Sequence, residues 1–201
     1  MDSSFPSFSK EVVGKLELYS NLLISWQKKY NLVGHSTLKD VWERHFIDSA
    51  QLFSLLPEEH KEKPIYDIGS GAGFPGMVLA IMGRKDIVLC ESSSKKCIFL
   101  EEVKSKTNTN VIIDNIRAES LPYCSASAIM ARAVTSLSGL LNLSIPILAK
   151  KGMCIFPKGI NWKKELLFAQ KRFHIDYKLV KSITSEKSSI IVINEARKKN
   201  A

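Results

Sequence analysis

Ile65-Tyr66-Asp67-Ile68-Gly69-Ser70-Gly71-Ala72-Gly73-Phe74-Pro75-Gly76 is the stretch on which the rest of the chain turns. A short apolar run carries an acid near its end, glycines occupy positions 69, 71, 73 and 76, and an apolar segment from Met77 to Met82 follows. That order predicts a strand, a tight loop and a helix. Glycine admits positive φ and lets a ligand approach the backbone with no Cβ in the way. The helix behind the loop offers unpaired N–H groups. The stretch is built to hold a small molecule.

Two ligand classes compete for it. Gly71-Ala72-Gly73-Phe74-Pro75-Gly76 matches the dinucleotide pattern Gly-x-Gly-x-x-Gly, which points to a nicotinamide-dependent oxidoreductase. The longer string Asp67-x-Gly69-x-Gly71-x-Gly73 matches the first motif of class I methyltransferases that use S-adenosylmethionine. Charge separates them, because a carboxylate repels a pyrophosphate and stabilises the sulfonium and ammonium of the methyl donor. Asp67 therefore favours the methyl donor. Glu91, ending the next strand, is placed to accept hydrogen bonds from ribose hydroxyls, which both ligands want.

Upstream of the loop, residues 57–63 are charged and aperiodic and read as a connector. Before it, Val12, Leu16, Tyr19, Leu23, Trp26 and Tyr30 step by three or four, predicting an amphipathic helix over residues 8–30. Asn31 to Gly34 breaks it. Thr37 with Asp40 resembles a capping box for a second helix, running through His45 to Leu56 and stopped by Pro57. Downstream, strand-like runs at 87–90, 111–114, 128–131, 153–156, 174–180 and 188–192 alternate with helical stretches. This predicts an α/β fold: a seven-stranded, mostly parallel Rossmann-like sheet with an antiparallel edge hairpin from the last two strands. Residues 1–60 form an N-terminal helical cap on this reading, and 61–201 the main domain.

The formal charge of +9 is concentrated, since residues 150–201 hold 13 Lys and Arg against 4 Asp and Glu. A one-sided positive field favours polyanions such as nucleic acid. Lys163-Lys164 and Lys171-Arg172 lie about two helical turns apart and can share a face. A non-catalytic RNA-binding module is therefore the second rival reading. Cysteines at 90, 97, 124 and 154 form no Cys-x-x-Cys pair and lack histidines at metal-ligand spacing, so reduced thiols, no metal site and a cytoplasmic location are expected. Nothing in the sequence suggests a membrane span or a signal peptide, and no spare apolar helix argues against a monomer.

Several strings together resemble one family. Tyr30-Asn31-Leu32, Arg44-His45-Phe46-Ile47-Asp48-Ser49, the glycine loop, Arg132-Ala133-x-x-Ser136-Leu137 and Lys158-Gly159 occur in the order typical of the RsmG (GidB) family of bacterial ribosomal RNA small-subunit methyltransferases. The resemblance spans roughly residues 25–195. It implies a class I S-adenosylmethionine-dependent methyltransferase that modifies N7 of a guanine, position 527 in the usual numbering, in 16S ribosomal RNA. The product would be S-adenosyl-L-homocysteine and the partner the small ribosomal subunit. By motif, Gly69, Phe74, Ala118, Glu119 and Arg132 fall at the cofactor, alongside Asp67, Gly71, Gly73 and Glu91 from the residue reading. Arg132, His45 and Lys158 are the candidate catalytic residues. Arg44, His45, Arg132, Lys158, Lys163 and Lys164 are the candidate RNA contacts. The chain departs from the family at Glu91, where Asp is common, and at Pro157 before Lys158-Gly159. Methylation at N7 uses a free lone pair, so no general base is required. The scattered histidines supply no convincing one.

Overall fold

The structure is a computed structural model that describes residues 8–59 and 62–199. His60 and Lys61 of the expected connector, and the first seven residues of the expected cap, lie outside the described residues.

Helix α1 (Lys10–Gln27) begins at Ser9, whose side chain accepts from the Val12 N–H, and buries Leu16, Tyr19 and Leu23. The expected capping box at Thr37 is not formed. The Thr37 hydroxyl instead donates to the Gly34 carbonyl at 2.7 Å, inside a short 3₁₀ turn, His35–Thr37. The second helix starts later and in another form, as a π-helical segment, Trp42–Ile47, that passes into one α-helical turn, α2 (Asp48–Ala50). π-Helical insertions re-aim side chains and concentrate at functional sites. Here the insertion carries Arg44 and His45.

The strands then alternate with helices: β1 (Ile65–Ile68), α3 (Gly76–Ile81), β2 (Ile87–Cys90), α4 (Ser94–Thr107), β3 (Ile112–Asp114), β4 (Ala126–Met130), α5 (Leu137–Ile147), β5 (Leu148–Lys158), α6 (Trp162–Arg172), β6 (Phe173–Lys181) and β7 (Ser189–Lys198). They form one sheet in the order β3-β2-β1-β4-β5-β7-β6. Pairing is parallel from β3 through β5 and antiparallel for β7 against both β5 and β6. The final hairpin sits at the edge as expected, with its second strand turned inward. Strand β5 is longer than its apolar core suggests. Between Leu148 and Met153 the strand bulges out of register with β4, with Lys151 at φ 67° and a register shift between Ala126 and Ala128.

Two cores flank the sheet. Residues of α1, α3 and α4 pack with Phe46 and Leu52 on one face, and residues of α5 and α6 on the other. The N-terminal helix therefore shares its core with the sheet. β1 is buried along its whole length, and its period of two sets Ile65 and Asp67 toward the α1/α3/α4 face and Tyr66 and Ile68 toward the opposite one. The carboxyl ends of β1, β2, β4 and β5 converge on one edge, where the order reverses between β1 and β4. That switch point is where open α/β sheets bind ligands.

Candidate active site

The glycine loop is pinned from below. Gly69 and Ser70 N–H groups donate to the Cys90 carbonyl at 2.8 and 3.1 Å, and the Gly71 N–H donates to Glu91 Oε2 at 2.8 Å. Gly69 has φ +67°, and a Cβ there would lie 2.7 Å from Val134 Cγ2. Its lack of a side chain lets the segment after β4 close over the loop. Glu91 is not an exposed strand-end carboxylate: it is 6% exposed, and its Oε1 accepts from the Ser93 N–H at 2.8 Å. It orders the backbone around any ligand.

Asp67 corrects the reading of a carboxylate facing the donor. It is fully buried, and its Oδ2 accepts from the Gly76 N–H at 2.8 Å, at the start of α3. A Cβ on Gly76 would come within 2.7 Å of that oxygen. Oδ1 has no hydrogen-bond partner. Burial pushes the Asp67 carboxyl up to about 7, opposed by the Gly76 N–H and by Arg132. Its charge can act on a ligand only through the loop. The reason lies in the pleat, which turns residue 67 into the core.

Phe74 is likewise a bracing residue, 3% exposed. Its ring stacks on Tyr19 at 5.2 Å and on His45 at 4.8 Å, and meets Phe46 edge-on at 5.5 Å. The Tyr19 hydroxyl, fully buried, donates to the Ala72 carbonyl, and burial raises that phenol well above its ordinary range. α1 thus grips the glycine loop by a hydrogen bond and a ring stack.

Arg132 is the junction of the site. Its guanidinium lies 5.1 Å from the Phe74 ring. It donates to the Arg44 carbonyl at 3.1 Å, to Asp48 Oδ2 at 3.3 Å and to His45 Nδ1 at 2.9 Å. Arginine has no acceptor, so Nδ1 carries the lone pair and Nε2 the proton, donated to Thr37 Oγ1 at 2.8 Å. The Thr37 hydroxyl in turn donates its own hydrogen bond to the Gly34 carbonyl. Desolvation, with Arg132 and Arg44 nearby, drives His45 down to about 3. The imidazole is neutral at physiological pH with its lone pair engaged, which removes it as a general base, a role the sequence reading did not ask of it. Ala133, next along, holds φ 57°, a left-handed conformation costly for alanine and characteristic of constrained sites.

Lys158 is also internal. Its ammonium donates to the Thr135 carbonyl and to Glu165 Oε2, both at 2.9 Å, and the same Glu165 oxygen accepts from the Leu137 N–H at 2.8 Å. This pair fixes the segment carrying Val134 and leaves little cation for RNA.

One cavity of about 600 Å³ brings these elements together. Gly69, Gly71, Phe74, Arg132, Arg44, His45 and Lys158 line it, joined by Lys96, Asp48 and Thr135. Asp67, Gly73 and Glu91 support its floor without lining it. Ala118 and Glu119, expected at the cofactor, occupy a 3₁₀ turn beyond β3 and are outside the lining. Lys163 borders a neighbouring groove, and Lys164 is exposed on α6. Sequence reasoning missed Tyr19, Thr37, Asp48 and Glu165 as site residues. Tyr19 left a trace on the apolar stripe of α1, Thr37 as a cap candidate and Asp48 within the family string, whereas Glu165 left none.

The residues fit an adenosyl sulfonium ligand. Gly71 (φ +60°) has only the Gly69 carbonyl near its missing Cβ, at 3.8 Å, so the backbone there faces open space. Carboxylates at 67 and 91 stand immediately behind.

Comparison with solved structures supports the fold. A SAM dependent methyltransferase from Aquifex aeolicus superposes with a TM-score of 0.58 at 12% identity, covering 77% of this chain and 92% of that one. The tRNA (m1A58) methyltransferase TrmI from Aquifex aeolicus gives 0.54 at 20% identity, with 77% and 69% covered. Among sequences, the ribosomal RNA small subunit methyltransferase G of Paramagnetospirillum magneticum is 41% identical over 193 residues, covering 96% of this chain and 93% of that protein. The protein of the same name from Rhodospirillum centenum is 42% identical, with 93% and 86% covered. With residues 13–193 also matching the family model for rRNA small subunit methyltransferase G, this chain belongs to the GidB family.

Proposed function

We propose that the protein transfers a methyl group from S-adenosyl-L-methionine to N7 of a guanine, position 527 in the usual numbering, of 16S ribosomal RNA. The reading carries residues 1–60 as a cap over a methyltransferase domain of residues 61–201, acting as a cytoplasmic monomer on the small ribosomal subunit. The observation that carries it is one cavity lined on one side by the glycine loop and on the other by Arg44 and His45 of the cap, in a chain of this family.

When bound, S-adenosylmethionine supplies an electrophilic methyl on a sulfonium. The protein's own contribution is positional. Gly71 presents bare backbone, Glu91 offers a carboxylate at the loop, and Asp67 sets a negative potential beneath it. Guanine N7 attacks through a free lone pair, so no residue needs to remove a proton, which agrees with a neutral, engaged His45. Arg132 orients the His45–Phe74 wall. Alignment and fixed dipoles then account for the rate.

The test is methyl transfer to unmodified small subunits and to free 16S RNA, with N7-methylguanosine located by borohydride and aniline cleavage. A single strong cut at the expected guanine supports the reading. Preference for NAD over S-adenosylhomocysteine in equilibrium binding, or modification at another base, refutes it.

A further inference from the structure

Beside the main cavity opens a second groove of about 600 Å³, and the two share Ser182, Ser188 and Ser189 as a common wall. Its other lining comes from the start of α6 and the turn between β6 and β7: Ile160, Trp162, Lys163, Lys181 and Lys187, with Glu186 as the one acid. We propose that this groove holds the single-stranded nucleotides adjoining the target guanine, a deepening that rests on the RNA methyltransferase reading above.

Continuity is the first argument. Across the ladder, Ser189 pairs with Lys158 on β5 and with Lys181 on β6. Directly opposed residues share a face, so Lys158, Ser189 and Lys181 form a row running from the catalytic cavity into the groove. A strand entering the cavity with one base has its next phosphates at the exposed end of that row, at Lys181.

Chemistry is the second. Three lysines against one glutamate suit a phosphate chain. Ile160 is 67% exposed at the rim, and the indole of Trp162 lies beneath the Lys163 ammonium at 5.4 Å. A basic track beside apolar and aromatic surface is how single strands are held without base-specific contacts. The target guanine must be unstacked for its N7 to be reached, which leaves its neighbours single-stranded as well.

The third argument is mounting. The lip of the groove is not a free turn. The Ile183 N–H donates to Gln51 Oε1 at 3.0 Å, and Thr184 Oγ1 donates to Asp48 Oδ1 at 2.7 Å. Asp48 uses its other oxygen to hold Arg132. The groove, the cap and the wall of the catalytic cavity are therefore fixed to one carboxylate. Gln51 and Thr184 are positioning residues for the lip.

The experiment uses the full chain and a 16S fragment containing the target guanine, with 4-thiouridine placed at its flanking positions. After irradiation, adducts should map to the peptides carrying residues 160–163 and 181–189. In parallel, the K163Q/K181Q/K187Q variant should raise KM for RNA by at least about tenfold and flatten the log–log salt dependence of affinity by about two, from three contacts of about 0.7 each. Its kcat at saturating RNA should stay within about twofold and its S-adenosylhomocysteine affinity should not change. A variant matching wild type in KM and salt slope, or adducts confined to other peptides, overturns the groove while leaving methyl transfer by wild type intact. Wild type that binds S-adenosylhomocysteine yet modifies no guanine N7 fails the underlying function first, and the groove with it.

Discussion

Asp67 makes a prediction in which stability and ligand affinity move in opposite directions with pH. The carboxyl is fully buried, holds one hydrogen bond from Gly76 and is pushed up to about 7. Unfolded, it titrates near the ordinary aspartate value of 3.8. Between these values the folded state binds the proton that the unfolded state releases, so stability falls as pH rises through the window and levels off above it. For these pKa values the loss between pH 5 and pH 8 comes to about 2.5 kcal/mol. Asp67→Asn keeps an acceptor for Gly76 and removes the charge. Its amide meets the position where Oδ1 now has no partner, which adds a constant offset without a pH slope. The readout is therefore the difference in urea-unfolding free energy between wild type and Asp67→Asn, followed from pH 5 to 8. Subtraction also removes His45, whose depressed pKa gives the opposite slope: its contribution is lost as pH falls from the ordinary histidine value toward 3.

Ligand affinity should run the other way. A sulfonium and an ammonium at the loop favour ionised Asp67. From pH 5.5 to 7.0 the ionised fraction of a group titrating at about 7 rises about sixteenfold. Wild-type affinity for S-adenosylmethionine should strengthen by up to that factor, measured by calorimetry below the titration of the ligand's own amine. Asp67→Asn should bind weakly and without the slope. A stability difference that does not change with pH would show that burial does not raise the Asp67 carboxyl, and equal pH slopes in the two binding series would show that its charge does not act on the ligand; either result refutes the reasoning.

Arg132→Ala removes a partly buried group bonded to three residues of the cap, and should cost about 3 kcal/mol of stability and lower methyl transfer at least tenfold. Arg132→Lys should not restore either, since one ammonium cannot reproduce the planar fork, and recovery by lysine would contradict the geometry. Tyr19→Phe leaves the buried Ala72 carbonyl unpaired, at a cost of about 1–3 kcal/mol, and should weaken S-adenosylhomocysteine binding with little effect on RNA affinity, as read by fluorescence titration of each ligand. The pH–rate profile between 5.5 and 7.5 should contain no inflection that His45→Gln abolishes, because His45 stays neutral throughout; an inflection lost in that variant would restore it as a titrating participant.

Much of the fold is legible in the chain because each signal is local. All seven strands fall where apolar runs are bounded by polar or glycine-rich segments, and the hairpin follows from the short connection between its strands. The misses have physical causes. Thr37 and Asp40 carry the right residue types at the right spacing for a cap, but a hydroxyl can equally donate to a carbonyl three residues back, and His45 recruits it that way. The π-helical segment is invisible to a 3.6-residue pattern. Asp67 could be placed at a strand end from sequence, whereas the face it points to depends on the pleat of a strand buried on both sides. The Arg132–His45 contact spans 87 residues of sequence, and no local pattern encodes it.

That contact changes what the cations of the site are for. The family resemblance gives Arg132 and Lys158 to the RNA. In the folded chain each spends its hydrogen bonds inward, Arg132 on the cap and Lys158 on Glu165 and Thr135. A cation whose hydrogen bonds are spent on its own chain sets shape more than affinity. The cations left to meet phosphate are those at the rim, Arg44 and Lys96 around the main cavity and Lys163, Lys181 and Lys187 along the groove. Salt should therefore act mainly on RNA affinity through the rim, while substitutions at Arg132 or Lys158 should lower the rate at saturating RNA without altering the salt slope. The two groups of cations separate by whether their hydrogen bonds are turned into the protein, a distinction that charge counting along the sequence cannot make.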